Sequence, residues 1–138
     1  MNKIKYDIDL MRVMSLFESL TQAKLKDCIV GEKQLIFIVN ENEIGKAIGM
    51  NGVNARKMES ILKKKIKIVE FSPDAAQFIQ NFIYPVRARD IASREGIITI
   101  MGSDAKSKGL LIGRDSRNLN NLLSIAKRYF PVDEIKVV

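Results

Sequence analysis

The strongest constraint on the fold of this chain is an internal repeat. Placing Gly49 on Gly113, an offset of 64 residues, also superposes Gly45 on Gly109, Ile48 on Ile112, Asn54 on Asn118, Ser60 on Ser124 and Ile61 on Ile125. At an offset of 62, Ile29 meets Ile91, Leu35 meets Ile97 and Ile38 meets Ile100, and a short insertion near Ser103 to Ser107 accounts for the difference between the two registers. A chain of 138 residues that repeats itself once is two small units, each with little core of its own. Their expected boundaries are 1–71 and 72–138. No Gly/Ser tract lies at the join near Ser72, so the units are expected to be rigidly docked rather than flexibly tethered.

Both halves read as the same series of elements. Leu10, Val13, Met14, Phe17 and Leu20 recur at helical spacing, with Asp7 or Asp9 as candidate caps. Cys28 to Val30 and Leu35 to Val39 read as antiparallel strands around Gly31-Glu32-Lys33-Gln34. A short helix from Glu43 to Ile48 stops at Gly49, a second runs from Val53 to Lys64 with Ala55, Met58 and Leu62 on one face, and Ile66 to Phe71 is a closing strand. The series then restarts. Ser72 is a candidate cap and Pro73 suits a first helical turn, with Ala75, Phe78, Ile79, Phe82 and Ile83 as the apolar face. Strands Arg87 to Ala92 and Ile97 to Met101 follow around Ser93-Arg94-Glu95-Gly96. A short helix then ends at Gly113, a longer one carries Leu119, Leu122, Leu123 and Ala126, and Glu134 to Val138 is a last strand. The expected fold class is α+β, each half α-β-β-α-α-β.

Composition narrows the chemistry. Lys and Arg total 23 against 16 Asp and Glu, a net charge of +7 that favours polyanionic partners. There is no histidine and one cysteine, which removes the usual general base near neutral pH, the commonest metal ligand and any internal disulfide. Cys28 lies in the apolar stretch Cys28-Ile29-Val30 and reads as a small buried hydrophobe. No Gly-x4-Gly-Lys-Ser/Thr loop or Gly-x-Gly-x-x-Gly turn is present, and Asp104-Ala105-Lys106-Ser107 does not supply one. We therefore expect no catalytic residues, no metal and no cofactor. The longest aliphatic and aromatic run, Leu35 to Val39, is too short for a bilayer, and Met1 to Asp9 is charged, so the expectation is a cytoplasmic protein without a membrane partner.

The segment that carries function is Ile44-Gly45-Lys46-Ala47-Ile48-Gly49-Met50-Asn51-Gly52-Val53-Asn54-Ala55-Arg56, a helix end, a Gly-x-x-Gly turn and a new helix start. Glycines at both ends of the turn permit positive φ and close approach of a ligand, and a helix N-terminus favours a phosphate. A lone Gly-x-x-Gly is a weak signal; set in this context and repeated, it is a specific one. The arrangement resembles the KH motif, whose loop clamps about four nucleotides against an aliphatic groove. The element order resembles the type II, prokaryotic variant, and two such domains in tandem resemble the NusA proteins that act on transcription termination and antitermination. Asn54 and Asn118 resemble the Gly-x-Asn context of NusA loops, and the length resembles the archaeal form, which lacks the polymerase-binding N-terminal domain and the cold-shock-like domain of the bacterial protein.

The resemblance implies a monomeric binder of single-stranded RNA, the nascent transcript, with RNA polymerase as a further candidate partner. The implied RNA-binding residues are Ile44, Gly45, Lys46, Ile48, Gly49, Met50, Asn51, Gly52, Asn54 and Arg56, and in the second repeat Gly113, Arg114, Asp115, Ser116, Arg117 and Asn118. In that second turn Ser116 replaces the closing glycine and is a candidate helix cap. Asp115 opposes a phosphate, whereas Arg114 and Arg117 attract one. Lys46 and Arg56 are the cations expected at the first turn, and Ile44, Ala47, Ile48, Met58 and Ile68 are either core or groove. Lys63-Lys64-Lys65 reads first as a solvated helix end, and with Arg56, Lys57 and Lys67 as an extension of a basic track. Two other readings stay open: a ribosome-associated or RNA-maturation KH protein, and a protein-interaction scaffold with degenerate loops. Recognition of the RRM type is disfavoured, because Leu35 to Val39 lacks the Arg/Lys-Gly-aromatic strand signature.

Overall fold

The computed structural model of the protein describes residues 3–31 and 34–138. The chain divides into two compact units, Met1–Phe71 and Ser72–Val138.

In the first unit, α1 (Lys3–Thr21) leads into the hairpin β1 (Leu25–Val30) and β2 (Gln34–Val39). Then come α2 (Ile44–Ile48), a single 3₁₀ turn (Met50–Gly52), α3 (Val53–Leu62) and β3 (Lys65–Glu70). β2 is central, antiparallel to β1 and parallel to β3. Alternation sends Leu35, Phe37 and Val39 to one face of the sheet, where they join Phe17, Ala23, Cys28, Ala47 and Met58 in the core. The apolar stripe read from the first helix is the one that packs: Leu10, Val13, Met14 and Leu20 lie against the core that holds Phe17, whose ring stacks on Phe37 at 4.3 Å. Cys28 is buried there, and burial together with the neighbouring Asp27 charge pushes its thiol up to about 12, so it is a packed apolar group.

The second unit repeats the order with α4 (Ala75–Ile83), β4 (Ala88–Arg94), β5 (Ile97–Gly102), α5 (Ala105–Ile112), a 3₁₀ turn (Arg114–Ser116), α6 (Arg117–Ala126) and β6 (Glu134–Val137). Its sheet has the same order and senses, β4-β5-β6. Phe78, Ile79, Phe82, Ile98, Ile100, Leu111, Leu122, Ile125, Ala126 and Ile135 are buried, and Phe78 meets the rings of Phe82, Tyr129 and Phe130.

Several local expectations are corrected. The helix α1 already spans Asp7 and Asp9, so neither precedes it as a cap. Ser72 does not cap α4: its hydroxyl accepts from Asp74 N–H, and Asp74 occupies the cap position, which leaves Pro73 outside the helix. Ser93 and Arg94 belong to β4, and the reversal is confined to Glu95 and Gly96, both at positive φ (51° and 80°) as a type I′ turn requires. In the equivalent turn, Glu32 and Lys33 lie outside the described residues.

The strand register also differs from the offset of 62. β1 is irregular between Leu25 and Asp27 and β4 between Ala88 and Asp90, and in each the Asp side chain accepts the next residue's N–H. These matching bulges align the strands at an offset of 63, placing Leu35 on Ile98 and Phe37 on Ile100. Matching Ile38 to Ile100 would be one residue out of register and would exchange the two faces of the sheet. The extra residue of the second unit therefore lies between β5 and α5. There Asp104 accepts the Ser107 N–H at 2.7 Å, and α5 begins earlier relative to its turn than α2 does.

Candidate nucleic-acid interface

Each unit closes its shorter helix on a glycine and reverses through one 3₁₀ turn into the next helix. Gly49 has φ 78° and ψ 169°, and Gly113 has φ 74° and ψ 173°. This conformation is open essentially to glycine alone. The turn then passes through Asn51 (φ 55°, ψ 26°) and Gly52 (φ 75°, ψ 17°) in one unit, and through Asp115 (φ 54°, ψ 33°) and Ser116 (φ 60°, ψ 22°) in the other. All four are left-handed, a conformation Asn, Asp and Gly adopt most readily. Loss of the closing glycine therefore leaves the path of the second turn unchanged. Ser116 sits at the helix start but its hydroxyl makes no capping bond, because the left-handed backbone replaces the extended geometry a side-chain cap uses.

The two asparagines bind the turns together. Asn54 Nδ2 donates to the Lys46 carbonyl at 2.9 Å, and Asn118 Nδ2 donates to the Leu110 carbonyl at 2.8 Å. A Cβ on Gly49 would stand 2.9 Å from the Asn54 amide, and one on Gly113 would stand 2.6 Å from Asn118. Glycine and asparagine are thus one device: the missing side chain makes room for the amide that ties the incoming helix to the outgoing one. By contrast, a Cβ at Gly45 or Gly109 would meet nothing within 4 Å, so both are points where a ligand can approach backbone.

The turn's own amides are partly engaged. Gly49 N–H donates to Gly45 and Gly52 N–H to Gly49, while Gly113 and Ser116 make the same bonds in the second unit. Val53 N–H and Arg117 N–H donate to Met50 and Arg114.

Of the aliphatic residues with two readings, Ala47 and Met58 are fully buried and belong to the core, while Ile44 and Ile68 pack against it and stay partly exposed. Ile48 is 38% exposed, Val53 48% and Met50 83%, forming an apolar rim around the first turn. Val53 was legible only as a helix residue; its exposure depends on how α3 is rotated. Lys46 is exposed and sits 3.7 Å from Glu43, a pair screened by solvent. Arg56 is exposed and donates to the Asn51 carbonyl, so it braces the turn while carrying charge beside it. In the second unit Arg114, Asp115 and Arg117 are exposed around the turn. Lys67 lies in β3 and is only partly exposed, and burial holds its ammonium below its ordinary 10.5. Among the described residues, no group of three His, Cys, Asp or Glu side chains could hold a metal, and no helix is long and apolar enough to cross a membrane.

This geometry has relatives. The KH domain family model matches residues 12–91, which covers most of the first unit and runs into β4. The probable transcription termination protein NusA of Methanococcus vannielii is 32% identical over 94% of this chain and 76% of its own length. The chain belongs to the NusA-like KH proteins. The protein of the same name from Methanocaldococcus jannaschii is 29% identical over 100% of this chain and 77% of its own length. That from Halobacterium salinarum is 26% identical over 97% and 98%. Among solved structures, the crystal structure of APE1850 matches with a TM-score of 0.73 and 28% identity, covering 95% of this chain and 99% of that one. The NusA-like KH assignment agrees with the α+β order of elements seen in each unit.

Proposed function

We propose that the two units are tandem type II KH domains, 1–71 and 72–138, and that the chain is a non-enzymatic binder of single-stranded RNA acting on transcription termination. The observation that carries this is the duplicated glycine-asparagine turn, whose backbone angles agree between units despite different side chains. RNA crosses the Gly49 to Gly52 turn. Because Gly49, Gly52 and Val53 direct their N–H groups inward, a phosphate is met by the central residues Met50 and Asn51, with Lys46 and Arg56 supplying charge. Bases rest on Ile48, Met50 and Val53, the exposed apolar rim. The second turn offers the same backbone with Asp115 facing outward, which makes it the weaker clamp. The name shared by the relatives supports the nascent transcript as the RNA served.

The test is a fluorescence-anisotropy titration of short single-stranded RNA with the native chain and Met50→Asp/Asn51→Asp. Position 51 tolerates an acid, since Asp115 holds the equivalent left-handed conformation in the second unit. A folded variant with binding weakened at least tenfold is expected. Unchanged binding would remove the first turn from the function, and a transcription assay in which the native chain leaves the cognate polymerase's termination unchanged would remove the transcriptional part alone.

A further inference from the structure

The outer face of α3 is unlike its counterpart in the second unit. Val53, Arg56, Lys57, Ser60 and Ile61 are all exposed and fall on one side of the helix, opposite Met58 and Leu62. Beyond the helix end, Lys63 and Lys64 are exposed as well. No acid faces this stripe from α3: Glu59, the helix's one carboxylate, is partly buried and accepts the Ile66 N–H at 3.1 Å. Val53 and Ile61, each 48% exposed, put apolar surface among the cations.

Helix electrostatics explain only part of this. Cations at Lys63 and Lys64 suit the negative end of α3, and the second unit keeps that feature as Lys127 and Arg128. Arg56 lies in the first turn and Lys57 directly after it, where the positive end of the helix disfavours them. At the same offset α6 carries Asn120 and Asn121 instead, has the exposed Arg117 where α3 has Val53, and buries Ile125, the counterpart of Ile61. The fold therefore does not require an adjacent pair of cations with exposed aliphatic neighbours on the outer face of this helix; α6 keeps one cation there, Arg117, and the first unit alone has the combination, which begins at the turn.

We infer that the outer face of α3 is a second RNA contact surface, on which the strand leaving the Gly49 to Gly52 turn continues past Arg56 and Lys57 to Lys63 and Lys64. The inference rests on the RNA-binding reading above and adds the length and path of the RNA. A 10-residue helix spans about 15 Å, room for phosphates beyond those held at the turn. The chemistry is that of a non-sequence-specific track, with ammonium groups for phosphate and isolated aliphatic side chains for ribose or base.

The experiment compares a tetranucleotide, followed by NMR titration, with a twelve-nucleotide single strand, followed by anisotropy at several salt concentrations. The proteins are the native chain, Lys57→Gln/Lys64→Gln, and a control of equal charge loss, Lys127→Gln/Lys136→Gln. These changes leave untouched the residues that shape the turn. The inference expects Lys57→Gln/Lys64→Gln to weaken the long strand several-fold and to lower the slope of log affinity against log salt by about 1.4, about 0.7 for each phosphate no longer neutralised. The tetranucleotide and the control are expected to stay native-like. A long strand bound with native affinity and slope overturns the track while tetranucleotide binding keeps the turn. Equal losses with the control, or equal losses for both RNA lengths, also overturn it, as diffuse charge or as part of the clamp. Failure of the native chain to bind either RNA overturns the RNA-binding reading itself, and the track with it.

Discussion

At the scale of single residues, the two glycines of the first turn are not equivalent. Gly49 combines φ 78° with ψ 169°, while Gly52 at φ 75° and ψ 17° occupies the left-handed well that Ser116 fills in the second unit. A Cβ at Gly49 meets the Asn54 amide and backbone, whereas one at Gly52 meets only the far end of the Arg56 side chain at 3.1 Å. Gly49→Ala is therefore expected to destabilise the first unit by about 1–3 kcal/mol. Gly52→Ser should cost about 1 kcal/mol. Urea unfolding of both variants checks the order, and equal losses would contradict the assignment. The recurrence of Gly49 and Asn54 was plain in the sequence, but their joint purpose was not, since it depends on an amide reaching a carbonyl eight positions earlier in the chain.

At the scale of elements, α5 shows how one inserted residue changes a helix. Asp104 caps it, and the Ser107 N–H and hydroxyl, with a smaller contribution from Lys106, hold the Asp104 carboxyl below its ordinary 3.8. A carboxyl depressed in the folded state stabilises it above the ordinary value, and that contribution is lost as pH falls through the lower, folded-state value. Asp104→Ala should thus lower the melting temperature at pH 7 and differ progressively less from the native chain as pH falls below 3.8. A difference that persists undiminished in acid would exclude the charged cap as its origin. Strand register, too, is set by a local insertion. Matching isoleucines suggested an offset of 62, but Ile is common on both faces of a buried strand, and only the bulges and the hydrogen-bond ladder distinguish one face from the other.

At the scale of the whole molecule, two units of like topology present turns of like shape and unlike charge. Asn51 and Asp115 share one backbone conformation, so Asp115→Asn alters charge without altering the path. This substitution is expected to tighten RNA binding several-fold by removing a repulsion beside Arg114 and Arg117, as anisotropy would show. Unchanged affinity would mean that the second turn does not meet RNA.

The repeat, the order of elements, the apolar stripe of α1 and the glycine turns were determined by local pattern, because period and turn chemistry are properties of neighbours in the chain. Which aliphatic residues stay exposed, as Ile48, Met50 and Val53 do while Ala47 and Met58 do not, was decided by the tertiary structure. The same is true of strand register and of the Asn54 bond. These depend on how helices rotate against a sheet and on hydrogen bonds between segments distant in sequence, and a one-dimensional pattern carries no record of either.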